Sequence, residues 1–509
     1  MKKLLMGVDV GTSGIKVVIF DLEGNVLASA AEEVPIISRK QDQAEESMQV
    51  IWEKTSQAIR RCLNSCDEAV ASSIAALGVT GQGTGCWLLD SNLDPIENAI
   101  VWIDGRTKQL IDLWKEDGRH MEAFRLTSNS IFTGSPLAIL AWLKENQPEL
   151  FRKARHFVFA KDWVKFKLTG KIVTDLSDLF MLPYPVDGDV RQVLELFDLP
   201  EVEKLLPPFR DPCYVVGEVT PQAAQATGLP VGIPVANGVV DVVACAVALG
   251  ILEAGQAYSI LGTTCFNAFL TDCVDALFKP EGVGITVAYP LPGLFLRSMA
   301  TMSGTLSLDW FLNNFFSHLR EKFSDKQAFF AHLEQEMQKV PPGAGGIIFL
   351  PYISPGGERA PFINPHARGV FFGLSLPHDE FYVLRSVYEG VAFSILDCFQ
   401  ALDTELGEIR LSGGGVKSSF WCQIISDVLG VKVVVPRAPE LGALGISMIA
   451  GVSVGVYKDL RDAFEKVFRV NKEFYPRSEY HRLYREKYNV YRTLREKLVD
   501  VWRVNDLIS

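Results

Sequence analysis

The sequence predicts an α/β chain of two lobes with mixed sheets, on three observations. Short apolar runs ending in glycine or a polar turn recur at residues 4–8, 75–79, 99–103, 233–236, 347–350, 370–373 and 431–435, the length and composition of buried strands. Between them lie stretches with apolar residues at three- and four-residue spacing, as at 47–63 and 380–402, and strands interleaved with helices indicate an α/β chain. Two Gly-rich turns, Asp9-Val10-Gly11-Thr12-Ser13-Gly14 and Leu261-Gly262-Thr263-Thr264, each follow a strand and stand about half the chain apart, so each lobe carries an analogous loop.

Composition bounds what such a chain can do. Its 509 residues are enough for two to four domains at about 100 to 200 residues each, and 48% hydrophobic with 22% charged residues is the balance of an ordered globular protein. The net charge of −11 removes the electrostatic drive toward a phosphate backbone or an anionic membrane, so neither nucleic acid nor a membrane is an expected partner. Nine scattered cysteines suit a reducing cytoplasm better than a disulfide framework, and with seven dispersed histidines no zinc spacing forms around Cys62 and Cys66. The apolar start ends at Asp9, short of a signal peptide, and reads as a strand; the apolar stretch 239–252 contains Asp241 and is too short to span a bilayer.

The division expected is a first lobe over 1–253, a second over 254–455, where a new strand pattern begins at Gln256, and a helical extension over 456–509. In that extension Tyr480, Leu483, Tyr484, Tyr488, Tyr491, Leu494, Leu498 and Trp502 share one helix face, which predicts packing on the body.

Four segments carry chemistry. The first Gly-rich turn can close backbone N–H groups around an anion, with hydroxyls from Thr12 and Ser13 and a charge from Lys16, while Asp9 at the strand end can hold Mg²⁺; the alternative is an ordinary glycine hairpin. The second turn, Gly262-Thr263-Thr264, is similar, though taken alone a plain strand-end turn explains it better. Gly413-Gly414-Gly415, in a loop that runs on to Lys417-Ser418, lets a backbone come close to a flat base or a phosphate between a strand and a helix. Asp241, inside an apolar stretch, must be paired, capping or chemically employed; it is a preferred N-cap residue for the small-residue helix that follows, and such a carboxylate can still accept a hydroxyl proton.

Taken in order, the motifs resemble the FGGY family of carbohydrate kinases, of the actin, Hsp70 and hexokinase class. The resemblance runs from about Leu4 to Gly451 and rests on Gly7-x-Asp9-x-Gly11-Thr12-Ser13, Gly81-Gln82, Trp102-x-Asp104-x-Arg106, Lys161-Asp162-Trp163, Leu168-Thr169-Gly170 and Gly238-x-x-Asp241. It continues in Leu261-Gly262-Thr263, Gly357-Glu358-Arg359-x-Pro361, Ala367-Arg368-Gly369, Glu389-Gly390, Ser412-Gly413-Gly414-Gly415 and Leu441-Gly442-Ala443. It implies two ribonuclease H-like lobes closing on an interlobe cleft, a sugar or polyol hydroxyl as acceptor, ATP and Mg²⁺, and a possible homodimer. By position it makes Asp241 the catalytic base and Asp9 the metal-side aspartate. Gly11, Thr12, Ser13 and Lys16 would bind phosphate, as would Gly262 and Thr263; Gly414, Gly415 and Ser418 would bind the nucleotide.

The same resemblance puts substrate choice at Gln82, Gly83, Thr84, Trp102, Asp104 and Asp241. Glycerol kinases carry Arg-Glu at the positions of Gly83 and Thr84, and D-xylulose kinases Met-His; this chain has neither. Val242-Val243 after Asp241 offers no side-chain hydrogen bond to a sugar. Both features are similar to kinases of L-xylulose and erythritol, with D-xylulose as the alternative acceptor. Cys86, beside this loop, either packs or lines the pocket. Two other classes share the fold, an actin- or Hsp70-type ATPase switch and the iron–sulfur ATPase activators; the substrate-side motifs argue against the first and the position of Cys62 and Cys66 against the second.

Overall fold

The computed structural model describes residues 3–508 apart from 41, 183–185, 187 and 439. The chain divides into two compact units, one formed by Met1–Leu252, Ile285–Leu296 and Ala438–Arg469, the other by Glu253–Gly284, Arg297–Arg437 and Val470–Ser509. The first unit takes back a late segment of the chain, so it is not the contiguous stretch 1–253 that the sequence pattern suggested.

In the first unit, strands β1 (Leu4–Gly11), β2 (Gly14–Phe20), β3 (Val26–Glu33), β4 (Ile74–Gly81), β5 (Val215–Glu218) and β6 (Pro234–Ala236) form one sheet in the order β3-β2-β1-β4-β6-β5. The antiparallel β1–β2 hairpin sets Asp9 opposite Lys16, and parallel pairing sets Asp9 beside Thr80 of β4. Both central strands are almost wholly buried, which is why their sequences read as continuous apolar runs. Helix α1 (Met48–Asn64) begins where the Ser47 hydroxyl accepts from the Val50 N–H, and buries Ile51, Trp52, Ala58, Ile59 and Cys62 in the core shared with this sheet. Helix α2 (Ala160–Thr169) and helix α3 (Asp241–Ala248) follow.

The second unit repeats the hairpin and its parallel neighbour. Strands β7 (Ala257–Leu261) and β8 (Cys265–Thr271) are antiparallel, and β7 pairs in parallel with β9 (Glu408–Ser412), which continues to β10 (Lys432–Pro436) and β11 (Val470–Phe474). Helix α4 (Glu380–Ala401) runs through its core, and helix α5 (Ser419–Leu429) follows the triple glycine. At the end of the chain, helix α7 (Ser478–Lys497) buries Tyr484, Tyr488 and Tyr491 against Phe393 in this core, with Trp502 beyond it.

Helix α6 (Leu441–Ser453) belongs to the first unit and lies on β1, β4 and α3. It approaches so closely that a Cβ on Gly7 would stand 2.0 Å from the Ala443 carbonyl oxygen, and one on Gly445 1.8 Å from that of Ala244. The run at 99–103 behaves differently from the others: only Ala99–Ile100 is strand, and Trp102 and Ile103 are exposed.

Because β1 and α6 touch backbone to backbone, Gly7→Val should force them apart. The expected loss is about 3 kcal/mol, read as a lower urea midpoint; an unchanged midpoint would show that the approach is not needed.

Candidate active site

In the first unit the elements converge on two aspartates. Asp9 is near the end of β1, and Asp241 opens α3. The sequence suggested Asp241 as the N-cap; instead Val240 occupies that place with no side-chain cap, and Asp241 is the first helical residue, its Oδ1 accepting from the Val242 N–H at 2.7 Å. The loop that delivers it is pinned on three sides. Thr80 donates to the Val239 carbonyl at 2.7 Å, the Val240 N–H donates to Ser177 Oγ at 2.9 Å, and Lys165 Nζ donates to the Asn237 carbonyl and side-chain oxygen, both at 2.6 Å. Lys165 is itself held in a fully buried ion cluster with Lys161, Asp162, Asp175 and Asp178. The family-like Lys161-Asp162 motif therefore supports the site from below.

Burial pushes the Asp241 carboxyl up to about 7, and the Asp9 charge adds to the rise while the Val242 N–H opposes it. Asp9 is pushed up to about 6, again chiefly by burial, which Lys16 opposes and Glu440 reinforces. Gly442 at the start of α6 makes room for this carboxylate: a Cβ there would lie 2.3 Å from Asp9 Oδ2. Lys16 Nζ bonds to Glu440 Oε2 at 2.9 Å, a half-exposed pair that raises the lysine and that the sequence alone did not reveal.

The neighbouring loop is also built in this unit. Trp102 Nε1 donates to Thr12 Oγ1 at 2.8 Å, Thr12 donates to Gln82 Oε1 at 2.9 Å, and Gln82 Nε2 donates to Glu46 Oε2 at 2.8 Å. The structure thus brings Thr12, Gln82 and Trp102 together, but the Thr12 hydroxyl proton goes to Gln82 rather than being free for a phosphate. Thr84 adopts φ 63°, a strained conformation for a β-branched residue, next to Gly83.

Asp104 departs from its expected place at the acceptor. It is fully buried, Oδ2 accepting from the Ala44 N–H at 2.7 Å and from Arg106 Nη2 at 2.9 Å, Oδ1 from the Arg106 N–H and Nε. With both oxygens taken, it clamps the loop. Arg106 also bonds Glu45 at 2.8 Å and lies over Trp142. Cys86 is buried and lines a cavity of about 420 Å³ with Glu45 and Arg106.

In the second unit the Gly262-Thr263-Thr264 turn closes the β7–β8 hairpin, with the Gly262 carbonyl accepting from the Thr305 N–H and that of Thr263 from the Gly304 N–H. Gly413, at φ 94°, sits against Leu261, while nothing stands within 4 Å of a Cβ on Gly414. Ser418 caps α5, accepting from the Trp421 N–H and donating to Glu334 at 2.6 Å, so its hydroxyl is committed within the protein and not turned to a nucleotide as expected.

Two family models match the chain: "FGGY family of carbohydrate kinases, N-terminal domain" over residues 4–248 and the C-terminal domain of the same family over 257–454. An erythritol kinase of Brucella abortus is 30% identical over 98% of this chain and 97% of its own length, and a probable L-xylulose kinase of Pasteurella multocida is 27% identical over 96% and 98%. The crystal structure of a xylulose kinase from Lactobacillus acidophilus superposes with a TM-score of 0.89 at 24% identity, covering 97% of this chain and 98% of that one, and so shares the fold.

The raised aspartates make stability depend on pH. The folded chain holds their protons more tightly than the unfolded chain, whose carboxyls ionise near pH 4, so the contribution of these two acids to stability falls as pH climbs from about 4 to about 7 and then levels. Asp241→Asn removes its share of that loss. At pH 8 the variant should be more stable than the parent by on the order of 2 kcal/mol, after allowance for partial exposure, and the gap should close below pH 4 in thermal melts.

Proposed function

The chain belongs to the FGGY family of carbohydrate kinases, a family of phosphotransferases, and from that premise we propose that it transfers the γ-phosphoryl group of ATP to a hydroxyl of L-xylulose or a related ketopentose, or of an erythritol-type polyol, with Asp241 as general base. The observation that carries this reading is the half-buried Asp241 beside Asp9, with one oxygen held by the Val242 N–H and its carboxyl raised to about 7. A base poised near neutrality takes a hydroxyl proton most effectively. As the acceptor oxygen bonds to phosphorus and the bridging oxygen leaves with ADP, the proton passes to Asp241 Oδ2. Oδ1 stays fixed and orients the carboxylate.

ATP is a substrate of the family's reaction. Mg²⁺ fits the residues present: among the described residues no cluster of three or more ligating side chains exists, but this ion keeps its waters and needs only one or two carboxylates besides phosphate oxygens. Asp9, which shares its surroundings with a second acid, would hold it, and the ion would neutralise phosphate charge. Lys16 supplies a further positive charge beside Asp9, and Gly11 and Ser13 the backbone of the phosphate turn. In the second unit Gly262, Thr263, Gly414 and Gly415 would receive the nucleotide.

The acceptor side is read from Gln82, Gly83, Thr84 and Trp102, with Asp104 holding their loop in place. Gly83 and Val242 leave fewer side-chain hydrogen bonds for a sugar than the Arg-Glu or Met-His pairs do, and these residues carry the choice of acceptor, since relatives named erythritol, L-xylulose and xylulose kinase match the chain at 30%, 27% and 27% identity. Among the described residues no helix is long and apolar enough to cross a membrane. The cytoplasm is the compartment we infer, from the unpaired cysteines and from ATP as co-substrate.

ADP release with Mg-ATP should be measured against D- and L-ketopentoses, tetritols, pentitols and glycerol. L-xylulose or erythritol is expected as the strong acceptor. D-xylulose as the preferred acceptor would retain the kinase and overturn the pocket reading, and silence across the panel would contradict the proposed acceptor class.

A further inference from the structure

Glu46 is a buried acid that the reaction as described does not use. It belongs to the two-residue strand Glu45–Glu46, which pairs antiparallel with Ala99–Ile100. Successive side chains on a strand point to opposite faces, and the two glutamates divide accordingly. Glu45 is bound to Arg106 and Asn98. Glu46 is 0% exposed; among the described residues no cation lies within ion-pair distance of it, and its Oε1 has no hydrogen-bond partner. Burial pushes its carboxyl up to about 8, while the N–H that Gln82 donates to Oε2 favours the ionised form.

A buried, half-satisfied acid costs stability, and the loop's clamp is already supplied by Asp104, Arg106 and Glu45. What Glu46 adds is direction. Because its Oε2 takes the Gln82 N–H, the amide oxygen of Gln82 must face Thr12; the Thr12 hydroxyl then donates to that oxygen and turns a lone pair toward Trp102 Nε1. Without an acceptor at position 46 the Gln82 amide is free to rotate by 180°. Its N–H would then compete with the indole for the Thr12 oxygen. Trp102 is 38% exposed, so this hydrogen bond is a large part of what sets its ring.

We propose that Glu46 is a positioning residue for the acceptor: it holds the Gln82 amide in one orientation and, through Thr12, fixes the Trp102 ring against which the acceptor lies. The inference rests on the acceptor-side reading of Gln82 and Trp102 given above.

Two readouts separate the relay from that reading. In protein labelled with 5-fluorotryptophan and free of ligand, the ¹⁹F resonance of Trp102, identified by its loss in Trp102→Phe, should shift or broaden in Glu46→Met and stay in place in Glu46→Gln, whose amide oxygen still accepts from Gln82. In steady-state kinetics Glu46→Met should raise the acceptor KM about tenfold, the effect of losing one hydrogen bond's worth of positioning, with kcat and the ATP KM within about twofold. Glu46→Gln should restore the parent KM, and Glu46→Met should add nothing in a Trp102→Phe background. If Glu46→Met does not fold, Thr12→Val cuts the same relay one link further on and should move the same resonance. An unmoved resonance, a Glu46→Gln variant as impaired as Glu46→Met, or a KM effect that persists in the Trp102→Phe background would overturn the relay. A resonance that moves while Trp102→Phe leaves the acceptor KM unchanged would overturn the acceptor role of Trp102, and the proposal with it.

Discussion

The arrangement depends on holding two carboxylates, Asp9 and Asp241, in one poorly solvated place. Burial raises the cost of ionising each, and the charge of Asp9 raises that of Asp241 further. The fold makes this possible through a backbone contact. Helix α6 comes within touching distance of β1 and α3 because Gly7, Gly442 and Gly445 have no side chains, and the same approach leaves room for the Asp9 carboxylate under Gly442. A Cβ at any of these positions would separate the elements that bring the acids together.

Charge elsewhere in the first unit keeps these acids in place. The Lys161–Asp162–Lys165 cluster is fully buried and reaches Asn237, four residues before Asp241, so a polar network underlies the loop. Breaking one partner of such a cluster leaves an uncompensated charge, which makes it rigid. Asp104 and Arg106 do the same for the loop of Trp102. In this reading the reactive acid is the one left without a cation of its own. Lys16, whose charge acts on Asp9, is paired with Glu440.

Much of this was legible in the sequence because buried strands and glycine turns leave strong local signals. The runs at 4–8 and 75–79 became β1 and β4, and Ser47 capped α1 as its residue type predicts. The short strand at Ala99 was overread because Trp102 and Ile103 look like core by composition but are exposed on a loop. Asp241 sits one position inside its helix, a distinction that composition cannot make when Val240 supplies the cap geometry. Asp104 looked like a ligand for an acceptor until its four protein donors were visible, and the Ser418 hydroxyl proved to be a cap. Glu46 and Glu440 left no signal at all. A glutamate in a polar stretch reads as solvated surface, and only tertiary structure shows that one is fully buried against Gln82 and the other paired with Lys16 across more than four hundred residues.

The most direct test of the account is turnover in Asp241→Asn, measured beside ATP binding by calorimetry. The variant should bind ATP as the parent does while acceptor-dependent ADP release falls by about three orders of magnitude, because the hydroxyl proton has lost its acceptor. Near-normal release with ATP binding intact would contradict the assignment of Asp241 as the base.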